Sequence, residues 1–120
     1  MSAVVFPSLR RLKAKEKLLI WRKRLKLTQG QAGTRFGCSA WQYGQMERGE
    51  VPALPYVWRG PFELKGHEFC ILSRLRSGKT QEEVGRELGV SRIWICTMET
   101  GQFNADRLIK YWGSSDVWES

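Results

Sequence analysis

The sequence predicts an all-α protein built from two copies of one small helical unit. Three observations point there. First, a stretch of the chain recurs 52 positions on without a gap: 28–49 against 80–101, with identical Thr, Gln, Gly, Gly, Ser, Met, Glu and Gly pairs at 8 of 22 positions. Arg22/Arg74 and Arg24/Arg76 extend the match upstream. A repeat of this length is a supersecondary unit used twice. Second, each copy carries paired helix-start signals and glycine stops at the spacing of short helices. Third, no alternating strand pattern of useful length occurs in the 120 residues, and a hydrophobic content of 42% suits a folded globule.

The elements follow in order. A helix is expected from Ser8 to about Leu25, with Leu9, Leu12, Leu19 and Ile20 available to pack amid a crowd of Lys and Arg. Thr28 and Gln31 form a capping box that opens a second, short helix, and Gly37 ends it. Ser39 with Gln42 opens a third, closed by Gly49. Three prolines among residues 51–61 discourage a long helix, and the aromatic Tyr56 and Trp58 make that segment a packed connector. A helix over His67–Arg76 precedes Ser77-Gly78. Thr80 with Glu83, Gly89, Ser91 and Gly101 then repeat the earlier punctuation. Asn104-Ala105-Asp106 starts a last helix that ends near Trp112, and a tail prone to fraying begins at Gly113. Residues 1–60 and 61–120 are the expected units.

Charge is unevenly placed. Residues 1–52 hold 11 Lys/Arg against 3 Asp/Glu, and residues 53–120 hold 9 of each, so the first half carries the whole net +8. A basic half attracts polyanions, of which phosphate backbone is the commonest; solubility is the bland alternative. No apolar run is long enough to span a bilayer, and Met1–Pro7 is too short for a signal-peptide core, so a cytoplasmic protein is expected. Cys38, Cys70 and Cys96 show no CxxC spacing, which points to reduced thiols and no metal.

Each copy has the grammar of a helix-turn-helix, in which the first helix crosses the DNA backbone and the second enters the major groove. Core candidates are Phe36, Cys38, Tyr43 and Met46 in copy one, and Leu88, Val90, Ile95 and Met98 in copy two. Gly33 and Gly85 fall where the two helices approach closely. Gln29 and Gln81 stand in the first turn of the leading helix, where side-chain amides and free N–H groups can hold a phosphate.

Leu27-Thr28-Gln29, Gly37, Ser39, Glu47-Arg48-Gly49 and Pro52 resemble the pattern of the lambda-repressor-like family of phage and bacterial regulators (the XRE/Cro group). So do Lys79-Thr80-Gln81, Leu88-Gly89-Val90-Ser91, Glu99, Gly101 and the run Asn104–Ile109. The resemblance covers about 28–52 and 71–110. It implies two tandem lambda-repressor-like helix-turn-helix bundles, closely packed, in a transcriptional regulator that binds operator DNA. Ala32 departs from the pattern, where a larger aliphatic is usual; Trp21 or Tyr43 is expected to offset the lost volume. Carried over by position, Ala40, Trp41, Gln42 and Gln45 face bases in copy one, and Arg92, Ile93, Trp94 and Thr97 in copy two. Gln42 or Gln45 suits adenine and Arg92 suits guanine. Phosphate contacts fall to Arg22, Arg24, Lys26, Gln29, Arg35 and Arg48, and in copy two to Arg74, Arg76, Lys79 and Gln81.

The expected function is therefore sequence-specific binding of double-stranded DNA, as a repressor from a phage or other mobile element, with a homodimer as one expected form. The alternative is a helix-turn-helix fold that acts on a protein partner, as an antiactivator, antitoxin or phage-encoded inhibitor. Apolar Ile93 and Trp94, standing where polar readers belong, favour that role for the second unit. Trp58, Trp112 and Trp118 read as core or dimer anchors. Glu47 and Glu99 read as structural rather than as a catalytic pair, and His67 as a surface or helix-start residue. No enzyme activity and no cofactor are expected, since no nucleophile–base arrangement, phosphate loop or metal-ligand spacing stands out.

Overall fold

The computed structural model describes residues 6–7, 11–52 and 63–118. These form seven α-helices and, among the described residues, no strand: α1 (Ala14–Arg24), α2 (Gln29–Phe36), α3 (Ala40–Arg48), α4 (Gly66–Ser77), α5 (Gln81–Leu88), α6 (Arg92–Glu99) and α7 (Asp106–Gly113). The all-α class is as expected. The chain divides into two compact units, Leu9–Phe62 and Glu63–Ser120, the second joined by the N-terminal Met1–Ser8. The division differs from a simple cut at residue 60 because the Phe6 ring lies 4.9 Å from that of Phe69 in the second unit. The connector 53–62, with Trp58, lies outside the described residues.

Local chemistry fixes the helix ends. The first helix begins at Ala14 rather than near Ser8, because Lys13 is held in extended backbone and its N–H donates to the Glu16 carboxylate at 2.7 Å. Lys65 and Glu68 repeat this at 2.9 Å at the start of α4. Leu12 and Leu64, one residue ahead of each, are both buried. The duplicated unit therefore reaches back to Leu12, since Leu12/Leu64, Lys13/Lys65 and Glu16/Glu68 are identical pairs at the same separation of 52. Thr28, Ser39, Thr80 and Ser91 cap their helices through the side-chain oxygen. Gln31, Gln42 and Glu83 return the bond to the cap residue's N–H; Trp94, at the same place after Ser91, has no acceptor with which to do so.

Two kinds of glycine shape the corners between α2 and α3 and between α5 and α6. Gly37 and Gly89 adopt left-handed backbone, φ 71° and 72°, a conformation in which a Cβ crowds the following carbonyl. Gly33 and Gly85 are needed for space: a Cβ at Gly33 would stand 2.7 Å from the Cys38 carbonyl oxygen, and one at Gly85 2.6 Å from that of Val90. The expected close approach is thus between helix and turn backbone, which cannot swing aside as a side chain can.

In the first unit Leu18, Ala32, Tyr43 and Met46 form the buried core, with Trp21, Leu27, Phe36 and Cys38 packed against it. Ala32 is fully buried. Beside it the Trp21, Phe36 and Tyr43 rings run in a row, with centroids 5.1 and 6.1 Å apart. The Tyr43 hydroxyl donates to the Leu18 carbonyl at 3.1 Å; burial, and then the nearby Glu47 carboxylate, push its phenol well above the ordinary range. In the second unit Leu72, Val84, Ile95, Leu108 and Trp112 are buried. Leu88 and Val90 are only half-buried, as are Phe36 and Cys38 at the matched positions.

The tail does not fray at Gly113. Trp118 is buried and stacks on Phe69 at 6.1 Å, and its Nε1 donates to Ser73 Oγ at 2.7 Å. Ser73 occupies the position matched by Trp21, so each unit has an indole there, one from its own helix and one brought back by the tail. Trp112 and Trp118 are therefore core residues. His67 lies in the first turn of α4, its ring against Gly101.

Gly33→Ala and Gly85→Ala should each cost about 1–3 kcal/mol through overpacking. Gly30→Ala, whose Cβ would meet only ordinary contacts at 3.7 and 3.8 Å, should be neutral or stabilising. Urea midpoints of the three variants decide this. Burial, with a smaller push from Glu99, raises the Cys70 thiol to about 12. The unfolded chain releases that proton near the ordinary value of 9.0. The contribution to stability is therefore intact below about pH 9 and falls as pH rises towards 12. At pH 8, Cys70 should resist a thiol reagent until the protein unfolds, whereas the half-buried Cys38 and Cys96 react in the native state; mass mapping of labelled sites is the readout.

Candidate nucleic-acid interface

The helix that would read DNA is held by a buried carboxylate. Glu47, in the last turn of α3, accepts from Arg22 Nε at 2.6 Å and Nη2 at 3.1 Å, and from Gln29 Nε2 at 3.2 Å. The third arm of Arg22 donates to the Leu27 carbonyl at 3.1 Å. One carboxylate thus ties α3 to α1 and α2. The second unit repeats the network atom for atom: Arg74 to Glu99 at 2.7 and 3.1 Å, Arg74 to the Lys79 carbonyl at 3.2 Å, and Gln81 to Glu99 at 3.0 Å. The side chains are 17% and 6% exposed in the first pair and 16% and 4% in the second.

Several residues of the expected phosphate set have partners within the chain. Arg22 and Arg74 each direct three guanidinium N–H groups to acceptors in the chain, and Gln29 and Gln81 each direct one amide N–H to the same carboxylates. Lys79 is likewise engaged, 3.0 Å from both Glu87 oxygens and from the Tyr111 hydroxyl, which itself bonds to Glu87. Arg76 lies over the Trp118 indole at 3.8 Å. Arg48 is exposed but forks onto Glu50 at 3.1 and 3.2 Å. Arg24 is half-buried. Lys26 and Arg35 are exposed, with no ion-pair partner among the described residues.

The first turn of α3 faces outward. Ala40, Trp41 and Gln42 are exposed, Trp41 to 69%, and Gln45 is half-buried. Gln42 Oε1 accepts from the Ser39 N–H at 2.9 Å, which leaves one lone pair of that oxygen and the amide NH2 for an outside partner. In α6, Arg92, Ile93 and Trp94 are exposed and Thr97 is half-buried, its hydroxyl bonded to the Ile93 carbonyl at 2.7 Å. Trp94 meets Phe103 edge-on at 5.3 Å, and Ile93, Trp94 and Phe103 are 68%, 49% and 57% exposed. Phe103 was not a sequence candidate; a lone aromatic after Gly101 carries no local signal that it will stand beside Trp94.

The surfaces of the duplicates differ in sign. Gly30, Gln31 and Arg35 on α2 correspond to Glu82, Glu83 and Glu87 on α5, all of them exposed except the half-buried Gly30. No family model matches the chain, and neither does any curated protein or any solved structure.

Arg74→Met or Glu99→Gln alone should cost about 3–5 kcal/mol, because each leaves a charge or polar group buried without its partner. The double variant should lose much less than the sum, and chemical denaturation of the four proteins gives the coupling. Strictly additive costs would mean that the clamp holds nothing jointly.

Proposed function

We propose that the chain is a sequence-specific, double-stranded DNA-binding transcriptional regulator of the lambda-repressor-like helix-turn-helix type, acting as a repressor in a phage or other mobile element. A cytoplasmic location belongs to the same proposal. The observation that carries it is the outward first turn of α3, with Ala40, Trp41 and Gln42 exposed. The other end of the same helix is clamped by Arg22 and Glu47, in the half of the chain that holds the entire net charge. A hairpin of short helices with a fixed, exposed leading turn suits major-groove entry. Lys26 and Arg35 are the cations best placed to meet phosphate, and Arg48 can join them by leaving Glu50.

A second reading has its own observation: the exposed apolar side chains of Ile93, Trp94 and Phe103, the last two in ring contact, in a unit whose α5 is acidic. Such a face suits a protein partner, another copy of the chain included, better than it suits a polyanion.

Selection of bound duplexes from a random pool by the full chain should return a defined motif. Affinity for it should fall steeply with salt, with a slope of roughly −0.9 for each phosphate contacted. Gln42→Ala with Gln45→Ala should erase discrimination between selected and scrambled duplexes, at about 1–3 kcal/mol for a lost bidentate contact, while salt-sensitive background binding survives. Discrimination that persists in the double variant removes α3 as the base reader. Ile93→Ala with Trp94→Ala should leave that discrimination intact and break any self-association seen by sizing.

A further inference from the structure

A base-reading helix is limited to the bases that its side chains can answer. On α3 the outward residues of the leading turns are Ala40, Trp41, Gln42 and Gln45. None of them is charged. The charged residues of α3, Glu47 and Arg48, stand at its other end, where Glu47 is held in the clamp and Arg48 is forked onto Glu50. Guanine presents two acceptors, which arginine or lysine answers, and cytosine presents a donor, which a carboxylate answers. The leading turns of α3 have neither. They have two amides, each able to donate and accept at once as adenine N7 and N6 require, and an alanine and an indole, which suit the C5-methyl group of thymine.

The ground beside Trp41 is clear for such a contact. Gly30 of α2 faces Ala40 across the corner, since a Cβ on Gly30 would stand 3.7 Å from that of Ala40. Neither residue carries a side chain beyond that point. Their counterparts in the second unit are Glu82 and Arg92, both long, charged and exposed. Trp41 is the most exposed large apolar side chain of the first unit among the described residues, and it makes no hydrogen bond or ring contact with any of them. The core of its unit does not use the indole, whereas Trp94 rests on Phe103.

We infer that the first unit reads a half-site of A·T pairs, in which Trp41 meets thymine through the C5-methyl group while Gln42 and Gln45 take adenine. The inference rests on the DNA-binding reading above and names its bases. The amides set the register of the helix, and the indole then covers the methyl group that this register brings to it. Burial of one methyl group is worth about fourfold in affinity. Uracil lacks that methyl and keeps the hydrogen-bonding edge of thymine, so it isolates the contact.

The test uses the full chain, its selected duplex, and copies of that duplex with uracil in place of one thymine at a time. The positions read by α3 are those whose preference is lost with Gln42→Ala and Gln45→Ala, and they should be A·T pairs. Uracil at one of them should weaken binding about fourfold. Trp41→Ala should bind the thymine and uracil duplexes alike, with its thermal midpoint unchanged, and Trp41→Phe should keep most of the difference. G·C pairs at those positions, or a wild-type chain indifferent to uracil, would overturn the inference and leave the parent reading in place. So would a thymine preference that survives in Trp41→Ala, which assigns the methyl to another side chain, or a lowered midpoint, which makes the indole a packing residue. Loss of self-association in Trp41→Ala with unchanged duplex binding would make it a protein contact instead. A wild-type chain that binds no duplex sinks the parent reading, and this is seen before any variant is made.

Discussion

The carboxylates of Glu47 and Glu99 each hold three helices together. Without them, two short hairpins of eight- and nine-residue helices would rest on apolar packing alone, which fixes an angle loosely. The Arg22 guanidinium is planar and offers its donors in a fork, so it reaches Glu47 with two arms and the Leu27 carbonyl with the third. Gln29 fills a remaining lone pair. A charge pair this shielded is favourable only because its hydrogen-bonding capacity is met. That condition explains why Arg, Gln and Glu recur together in both copies while most of the surface around them has changed.

The clamp works with the glycine corners. Gly33 and Gly85 let the turn backbone come against the preceding helix, which brings the last turns of α3 and α6 within reach of the arginines. A Cβ there would push the turn outward and stretch the very bonds that orient the outer face. Rigidity of that face is what a reader of base edges requires, since hydrogen bonds to bases weaken steeply with misalignment. The same frame serves equally to display an apolar patch, as α6 does with Ile93 and Trp94.

The two units thus share the clamp and its glycine corners and differ outside. At matched positions the first unit carries Lys23, Lys26 and Arg35 where the second carries Leu75, Gly78 and Glu87. Glu87 is part of a local cluster with Lys79 and Tyr111 that joins α5 to α7. The second unit has put charge to structural use on a surface that the first leaves exposed. The tail contributes as well: Trp118 supplies the indole that Trp21 supplies in the first unit.

The sequence by itself determined the repeat, read directly as identities 52 positions apart, and most helices with their hydroxyl caps and glycine stops, because these depend on single residues or on groups three or four apart along the chain, although the start of α1 at Ala14 was not among them. Thr28 with Gln31, Ser39 with Gln42 and Thr80 with Glu83 were all legible on that basis, as was the crowding at Gly33 and Gly85. Outward exposure of Trp41, Ile93 and Trp94 was implied by the resemblance and not by any local pattern. Only the tertiary structure decided the partners of Arg22, Gln29 and Glu47, which lie 18 to 25 residues apart. Nothing local announces that those arginines and glutamines meet the carboxylates behind the face. The pairing of Phe6 with Phe69, the return of Trp118 and the meeting of Trp94 with Phe103 were hidden for the same reason. An aromatic or charged side chain carries its chemistry in the sequence, but the group it meets is chosen by packing across the whole unit.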